Sequence, residues 1–168
     1  MPYADSYVWN IRQKIGHDSL IIPSADAIAV GKDGELLLVF NKDWNNWFFP
    51  GGYAEVGQSS AECAARELFE EAGVRTDFRT LIPFAFASGH RAEYPNGDIT
   101  YPFTQYFITH EWDDQGDAID EVEVSQRRWF SLEELAELEL DKSMKAIIKA
   151  YKAFISTNIY QTIDFEDR

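Results

Sequence analysis

The chain has 168 residues, of which 45% are hydrophobic and 15% aromatic, which is enough apolar material for the core of one ordinary domain. Its net charge of −14 argues against general binding to nucleic acid or to an anionic membrane, because both need Lys and Arg to neutralise phosphates. No long uncharged apolar run or signal-peptide pattern is present, and the single Cys63 cannot form an internal disulfide, so we expect a cytoplasmic protein.

The first half of the chain predicts a short helix followed by strands. An apolar stripe at helical spacing predicts a helix over residues 6–15, which Gly16 would end. Apolar runs predict strands over residues 25–30 and 35–40, joined as a hairpin by residues 32–34. Residues 41–46 are polar and predict a loop, after which a short strand over residues 47–49 leads into Pro50-Gly51-Gly52.

The second half predicts three helices among further strands. Residues 57–73 predict a helix, and residues 81–87, 99–108 and 126–130 predict strands, with an Asn-Gly turn near residue 96. Ser131 and Glu134 form a capping-box pattern at the start of a helix, and residues 141–155 predict an amphipathic C-terminal helix. Residues 157–168 give no clear signal. The simplest interpretation is a single mixed α+β domain over residues 1–168.

Three glutamates share one face of the helix predicted for residues 57–73. On a wheel of about 100° per residue, Glu70 and Glu71 lie within about 60° of Glu67. Arg66 can offset part of their repulsion by pairing with Glu70 at the i, i+4 spacing. A different side of the wheel is small and apolar, which suits close packing on a sheet; it carries Ala61, Ala65, Leu68 and Ala72.

This acidic face has two interpretations. It is either a solvated helix surface or a site for hard divalent cations, which take carboxylate and carbonyl oxygens as ligands. The glycines at positions 51 and 52, just before the helix, favour the cation site because they let backbone carbonyls approach closely. Cations bound between the carboxylates of the protein and the phosphates of a ligand let an acidic protein hold a small phosphorylated substrate.

The segment resembles the signature of the Nudix (MutT-like) hydrolase family, G-x5-E-x7-R-E-U-x-E-E-x-G-U, where U is a bulky aliphatic residue. The matching positions are Gly52, Gln58, Arg66, Glu67, Leu68, Glu70, Glu71, Gly73 and Val74. The spacing agrees throughout, and the residue type departs only at Gln58, where the family usually has Glu. The resemblance implies an α+β fold of the Nudix type, an α/β/α sandwich with a mixed central sheet.

The resemblance also implies the chemistry. The chain would be a Mg²⁺-dependent hydrolase, with Mn²⁺ as an alternative cofactor, that cleaves a diphosphate bond in a nucleoside diphosphate linked to another group, as in sugar nucleotides or ADP-ribose. The implied metal ligands are Glu67, Glu70, Glu71 and the backbone carbonyl of Gly51. Arg66 would orient these carboxylates rather than touch substrate. Water would attack phosphorus, and the activating base would be a glutamate of the signature, Glu70 or Glu71, or of a later loop, Glu121 or Glu123.

Gln58 keeps a hydrogen-bonding carbonyl but lacks a charge, which makes the number of metal ions an open question. It could accept a hydrogen bond from Arg66, and the nearby Glu55 could contribute charge instead.

Aromatic and basic residues outside the signature are candidates for contacting the substrate. A nucleobase stacks on aromatic or Arg side chains, and the candidates are Arg91, Tyr94 and Trp47, followed by Trp44 and Phe86. His90 and Arg91 could instead contact phosphate or sugar. Each of the aromatic residues could equally be part of the core.

Other activities on the same fold stay open. They are a nucleoside triphosphate pyrophosphohydrolase of the MutT housecleaning type, a non-catalytic nucleotide-binding regulator, and an isoprenoid diphosphate isomerase. The isomerase needs a catalytic cysteine outside the signature helix, and Cys63 lies inside it. The amphipathic C-terminal helix and the aromatic content would also permit a homodimer.

Overall fold

The computed structural model describes residues 3–116 and 123–165. The α-helices in this part of the chain are α1 Tyr7–Ile15, α2 Ser60–Ala72, α3 Leu132–Glu137 and α4 Lys142–Thr157. The strands are β1 Leu20–Ala29, β2 Leu36–Asn41, β3 Asn46–Phe48, β4 Gly51–Tyr53, β5 Val74–Arg75, β6 Ile82–Ser88, β7 Ala92–Glu93, β8 Ile99–Thr109, β9 Asp113–Asp114, β10 Val124–Phe130 and β11 Gln161–Asp164. None of the described helices is long and apolar enough to cross a membrane.

The central sheet is mixed and has the strand order β11-β6-β8-β1-β4. Its longest pairing is the parallel one between β1 and β8, while β4 is antiparallel to β1 and β6 is antiparallel to β8. The short β7 adds to β8. A second, antiparallel sheet has the order β10-β2-β3, and β5 pairs with β9.

The two faces of the central sheet carry different helices, because successive residues of a strand point to opposite faces. On β1, Ala25, Ala27 and Ala29 pack in one core cluster with residues of α2. Ile28, on the other face, belongs to a second cluster that contains the apolar side of α4. The small alanine side chains let α2 lie close to the sheet. The expected α+β fold with a mixed central sheet is confirmed.

Several boundaries differ from the sequence predictions. Helix α2 begins at Ser60 rather than residue 57, because Gly57 has a φ of +88° and Ser59 caps the helix with Glu62 in a capping box. Strand β1 begins at Leu20, five residues before the predicted start, where it pairs with the beginning of β8. The terminal region without a signal forms β11 beside β6. The candidate base Glu121 lies outside the described residues.

Candidate functional site

Helix α2 buries Glu71 on the side that packs on the sheet, whereas Glu67 and Glu70 are partly buried beside it. The side chains of Cys63, Ala64, Leu68 and Ala72 are fully buried, whereas Ala61 and Ala65 are only partly buried. The face of α2 that packs on the sheet therefore includes Cys63 and Ala64. It is rotated about the helix axis relative to the apolar face that the helical wheel predicts.

The glycine pair of β4 makes room for two carboxylates, one on each side of the strand. A Cβ on Gly52 would lie 2.5 Å from Glu67 Oε1, and a Cβ on Gly51 would lie 2.0 Å from Asp26 Oδ1. The amide of Gly51 also donates a hydrogen bond to Glu71 Oε2 at 3.0 Å. Side chains at positions 51 and 52 would displace these carboxylates, so the glycines are required by close approach rather than by backbone angle.

Arg66 connects two glutamates of α2 to strand β4, which is called the glycine strand below. Its guanidinium contacts Glu67 Oε1 at 2.8 Å and Glu70 Oε2 at 2.7 Å, the latter being the i, i+4 pair expected from the sequence. The same group donates to the backbone carbonyl of Tyr53 at 2.9 Å. Arg66 therefore fixes the positions of two carboxylates at once.

Burial and mutual repulsion raise the pKa values of these acids. Burial raises the pKa of Glu67 to about 7; Arg66 opposes the rise, and Glu70 and Glu123 add to it. Burial and the neighbouring Glu67 raise the pKa of Glu71 well above its ordinary value. The same two causes raise the pKa of Asp26. Such a group of desolvated acids is an electrostatic environment that a divalent cation would relieve.

These acids line a cavity of about 460 Å³. It brings together most of the residues that the sequence singles out: Gly51, Arg66, Glu67, Glu70, Glu71, Tyr94 and Glu123. Helix α1 contributes a further wall through Ser6, Val8 and Arg12. The cavity is of a size typical for small-molecule sites.

A second cavity of about 250 Å³ lies on the α4 side of the sheet. The two cavities share Asp26, the glycine strand and an aromatic wall formed by Trp44, Phe48 and Tyr94. Arg91 lines the second cavity and forms an ion pair with Glu93 at 2.5 Å. His90 also lines it, next to the ring of Phe165.

Two of the aromatic candidates lie elsewhere. The ring of Trp47 packs edge-on against Phe40 and Phe130, at centroid distances of 5.3 and 4.9 Å, and lines neither cavity. The ring of Phe86 packs against Phe103 at 6.0 Å. Their placement favours a packing role over contact with substrate.

Sequence reasoning missed Asp26, which lines both cavities. The signal was a single acidic residue inside an otherwise apolar strand, Ala25-Asp26-Ala27-Ile28. An acid at such a position is unusual, because a buried carboxylate without a partner costs free energy.

Gln58 and Glu55 have a structural arrangement that the sequence did not suggest. Gln58 Oε1 accepts the amide of Glu55 at 3.0 Å, whereas the Arg66 guanidinium donates to Glu70 and to the Tyr53 carbonyl. The carboxylate of Glu55 in turn accepts the amide of Tyr7 at 2.9 Å, at the start of α1. This pair therefore links the signature loop to the helix that walls the cavity.

The donor set fits a hard divalent cation. Carboxylate and carbonyl oxygens are the ligands that Mg²⁺ prefers, and the acids are held close enough to raise one another's pKa values. Within residues 3–116 and 123–165, no three His, Cys, Asp or Glu side chains already converge on one point. Glu67, now paired with Arg66, would have to reorient to act as a ligand. Cys63 is a poor nucleophile because burial and Glu67 raise its pKa to about 12.

The chain is similar to known proteins over most of its length. The model of the NUDIX domain matches residues 21–151. A pig protein, bis(5'-nucleosyl)-tetraphosphatase (asymmetrical), is 30% identical over 139 residues, which are 80% of this chain and 87% of that protein. The mouse protein nucleoside diphosphate-linked moiety X motif 6 is 52% identical over 42 residues, 25% of this chain. The matched segment is only 13% of the mouse protein.

The fold is also that of solved structures. The MutT NUDIX hydrolase from Burkholderia pseudomallei superposes with a TM-score of 0.65 at 18% identity, covering 77% of this chain and 97% of that one. The signature segment of α2 and β4 lies within the matched residues, and the acids that it carries gather at one cavity. The chain belongs to the Nudix hydrolase family.

Proposed function

We propose that the protein is a Mg²⁺-dependent hydrolase of a diphosphate bond in a nucleoside diphosphate linked to another group, of the sugar-nucleotide or ADP-ribose type. The observation that carries this proposal is the gathering of Glu67, Glu70 and Glu71 with Gly51 at the 460 Å³ cavity, where the Gly51 amide donates to Glu71. The name of the mouse relative refers to nucleoside diphosphate-linked compounds, and the substrate in the name of the pig relative also contains phosphoanhydride bonds.

Each residue has a role in this proposal. Glu67 and Glu71, with the Gly51 carbonyl and Glu70 beside them, would hold Mg²⁺ or Mn²⁺, which supplies charge neutralisation for the diphosphate and lowers the pKa of water. Arg66 keeps Glu67 and Glu70 in position through its two ion pairs. Water forms a new bond to phosphorus, and the bond from phosphorus to the bridging oxygen breaks.

A carboxylate must take the proton of the attacking water. Glu123 lines the cavity, and its charge raises the pKa values of both Glu67 and Glu71, so it is close to the proposed metal ligands. We assign it as the base, with Glu70 as the alternative within α2. The bridging oxygen leaves as part of a phosphate group, whose charge a bound cation would neutralise.

The test is a substrate panel on the purified full chain. ADP-ribose, nucleotide sugars, dinucleoside polyphosphates and nucleoside triphosphates are each incubated with Mg²⁺ or Mn²⁺, and release of phosphate or mononucleotide is measured. We expect turnover of at least one linked nucleoside diphosphate and loss of more than about 100-fold in Glu71→Gln. Preferential release of pyrophosphate from triphosphates would instead identify a MutT-type housecleaning enzyme.

A matched control separates catalysis from a general effect of charge. Glu137→Gln removes an exposed carboxylate from α3 that lines neither cavity, and should keep wild-type turnover. Thermal unfolding of both variants checks that they fold. Full activity of a folded Glu71→Gln variant would exclude the proposed metal site, and binding of nucleotides without any turnover would identify a regulator.

A further inference from the structure

The floor of the second cavity is defined by strand register. Asp26 on β1 pairs with Gly51 on β4 and with Tyr106 on β8, so these three residues form one row across the sheet. The next row on the same face consists of Tyr53, Ser24 and Thr104. Met144 of α4 and the preceding Asp141 lie above this floor. The cavity is therefore built from regular elements rather than from loops.

Asp26 interrupts an apolar face. The residues of β1 that point towards α4 are Ile22, Ser24, Asp26, Ile28 and, beyond the strand end, Val30. Ser24 is satisfied by a hydrogen bond of 2.6 Å to the hydroxyl of Thr104. The carboxylate of Asp26 receives no hydrogen bond from the described residues.

The other acid at this cavity is already engaged. Asp141 Oδ1 accepts the amide of Met144 and the hydroxyl of Ser143, each at 2.7 Å, and so caps α4. The ion pair with Glu93 likewise engages Arg91 at the rim. Asp26 thus presents acceptor oxygens at the junction of the two cavities, beside the glycine strand, where a group joined to the diphosphate would pass.

We infer that Asp26 is a specificity-determining residue that accepts hydrogen bonds from adjacent O–H or N–H donors of the group linked to the diphosphate. This inference rests on the proposed function and identifies what the α4-side cavity recognises. An unpartnered carboxylate is retained there because the ligand supplies its donors. The shared chemistry is a ring with paired donors, which either a sugar diol or the edge of a nucleobase provides.

The cavity shape is compatible with one such ring. Its volume of about 250 Å³ is smaller than that of the metal-side cavity, and the aromatic wall of Trp44, Phe48 and Tyr94 borders both spaces. An aromatic wall can cover the flat face of a base or the apolar face of a sugar. Asp26 would then discriminate among ligands by the hydrogen-bond donors at the edge of the ring.

The test measures binding of product fragments, which needs no turnover. Isothermal titration with Mg²⁺ present uses adenosine, guanosine and cytidine monophosphates in one arm and ribose 5-phosphate and glucose 1-phosphate in the other. We expect Asp26→Ala to weaken fragment binding by roughly 10- to 100-fold, as for loss of a hydrogen bond in a desolvated site. Because the nucleoside monophosphates also carry ribose, weakening in both arms assigns the donors to the sugar, and weakening of the nucleotide arm alone assigns them to the base.

A second variant and a control keep the result interpretable. Asp26→Asn retains the shape and one acceptor oxygen, and should weaken the same fragments less than Asp26→Ala while keeping or raising the melting temperature. Asp18→Ala removes an exposed acid and should bind like wild type. Equal affinities of all fragments for wild type and Asp26→Ala, or no binding to wild type, would overturn the assignment. Failure of the proposed reaction is scored separately, by turnover in the substrate panel.

Discussion

The backbone of Gly52 lies directly against the carboxylate of Glu67. A Cβ at position 52 would approach Glu67 Oε1 to 2.5 Å and Cδ to 2.7 Å, which is closer than side-chain atoms tolerate. Because Arg66 also holds Glu67 at 2.8 Å, the carboxylate is confined between a glycine and a guanidinium. Glu67, a proposed metal ligand, can therefore keep this position only because residue 52 has no Cβ.

Substitution of this glycine should therefore impair activity more than stability. We expect Gly52→Ala to displace Glu67 and to lower kcat by about 100-fold, since a shift of about 1 Å in a catalytic group has effects of that order. Gly31→Ala is a matched control, because its Cβ would meet the carboxylate of Glu35 at 2.4 Å in a turn far from the cavity. Equal turnover in the two variants would contradict the role given to Gly52.

The raised pKa of Glu67 makes the stability of the metal-free protein depend on pH. Its pKa is about 7 in the folded state against an ordinary value of 4.5, so the folded protein binds more protons between these values. The resulting contribution to the free energy of unfolding is complete below about pH 4.5 and is lost as pH rises through about 7. Glu71 and Asp26, whose pKa values are also raised, act in the same direction.

The measurement is urea unfolding between pH 5 and 8 in EDTA. We expect the free energy of unfolding to fall across this range, and Glu67→Gln to flatten the decline. Mg²⁺ that binds only the folded protein should restore stability at the alkaline end. A free energy of unfolding that increases towards pH 8 in EDTA would show that these acids are not raised in the folded state.

Arg66 should not be replaceable by lysine. Its planar guanidinium reaches Glu67, Glu70 and the Tyr53 carbonyl together, whereas an ammonium group is a point charge without this fixed geometry. We expect Arg66→Lys to lower kcat by roughly 10-fold or more and to weaken Mn²⁺ binding, measured by electron paramagnetic resonance. Arg79→Lys, which changes an exposed pair with Asp77, should leave both quantities unchanged.

The sequence predicted the parts of the site that lie close together in the chain. Glu67, Glu70 and Glu71 fall on one helical turn, so their common face follows from the period of the helix alone. The i, i+4 spacing of Arg66 and Glu70 likewise indicated their ion pair, which the structure contains, whereas the glycines expected in a turn form the short strand β4. These relations are local and need no knowledge of the tertiary fold.

Relations between distant segments could not be predicted in this way. Asp26 meets Gly51 only because β1 pairs with β4, and β11 forms only because β6 offers an open edge. The bond from the Tyr7 amide to Glu55 joins residues 48 positions apart. In each case a tertiary contact determines where the residue lies, and no local sequence pattern indicates which segments will pair.

The hydrogen bond from the Tyr7 amide to Glu55 should stabilise the start of α1. The Glu55 carboxylate accepts the Tyr7 amide at the helix start, where unpaired amides and the helix dipole favour a negative charge. We expect Glu55→Ala to destabilise α1 by about 0.5–2 kcal/mol, the usual range for loss of a capping side chain. Amide hydrogen exchange in residues 7–10 should then become about 2- to 30-fold faster.

Glu55→Ala should also alter the lining of the 460 Å³ cavity, because Ser6, Val8 and Arg12 form one of its walls. Looser packing of α1 should raise KM while leaving kcat within about threefold, since the proposed metal ligands are on other elements. Glu55→Gln keeps an acceptor oxygen for the Tyr7 amide and should show smaller changes in both exchange and KM. A rise in KM with no change in exchange at α1 would instead mean that Glu55 acts on the substrate directly, since it lines the cavity itself.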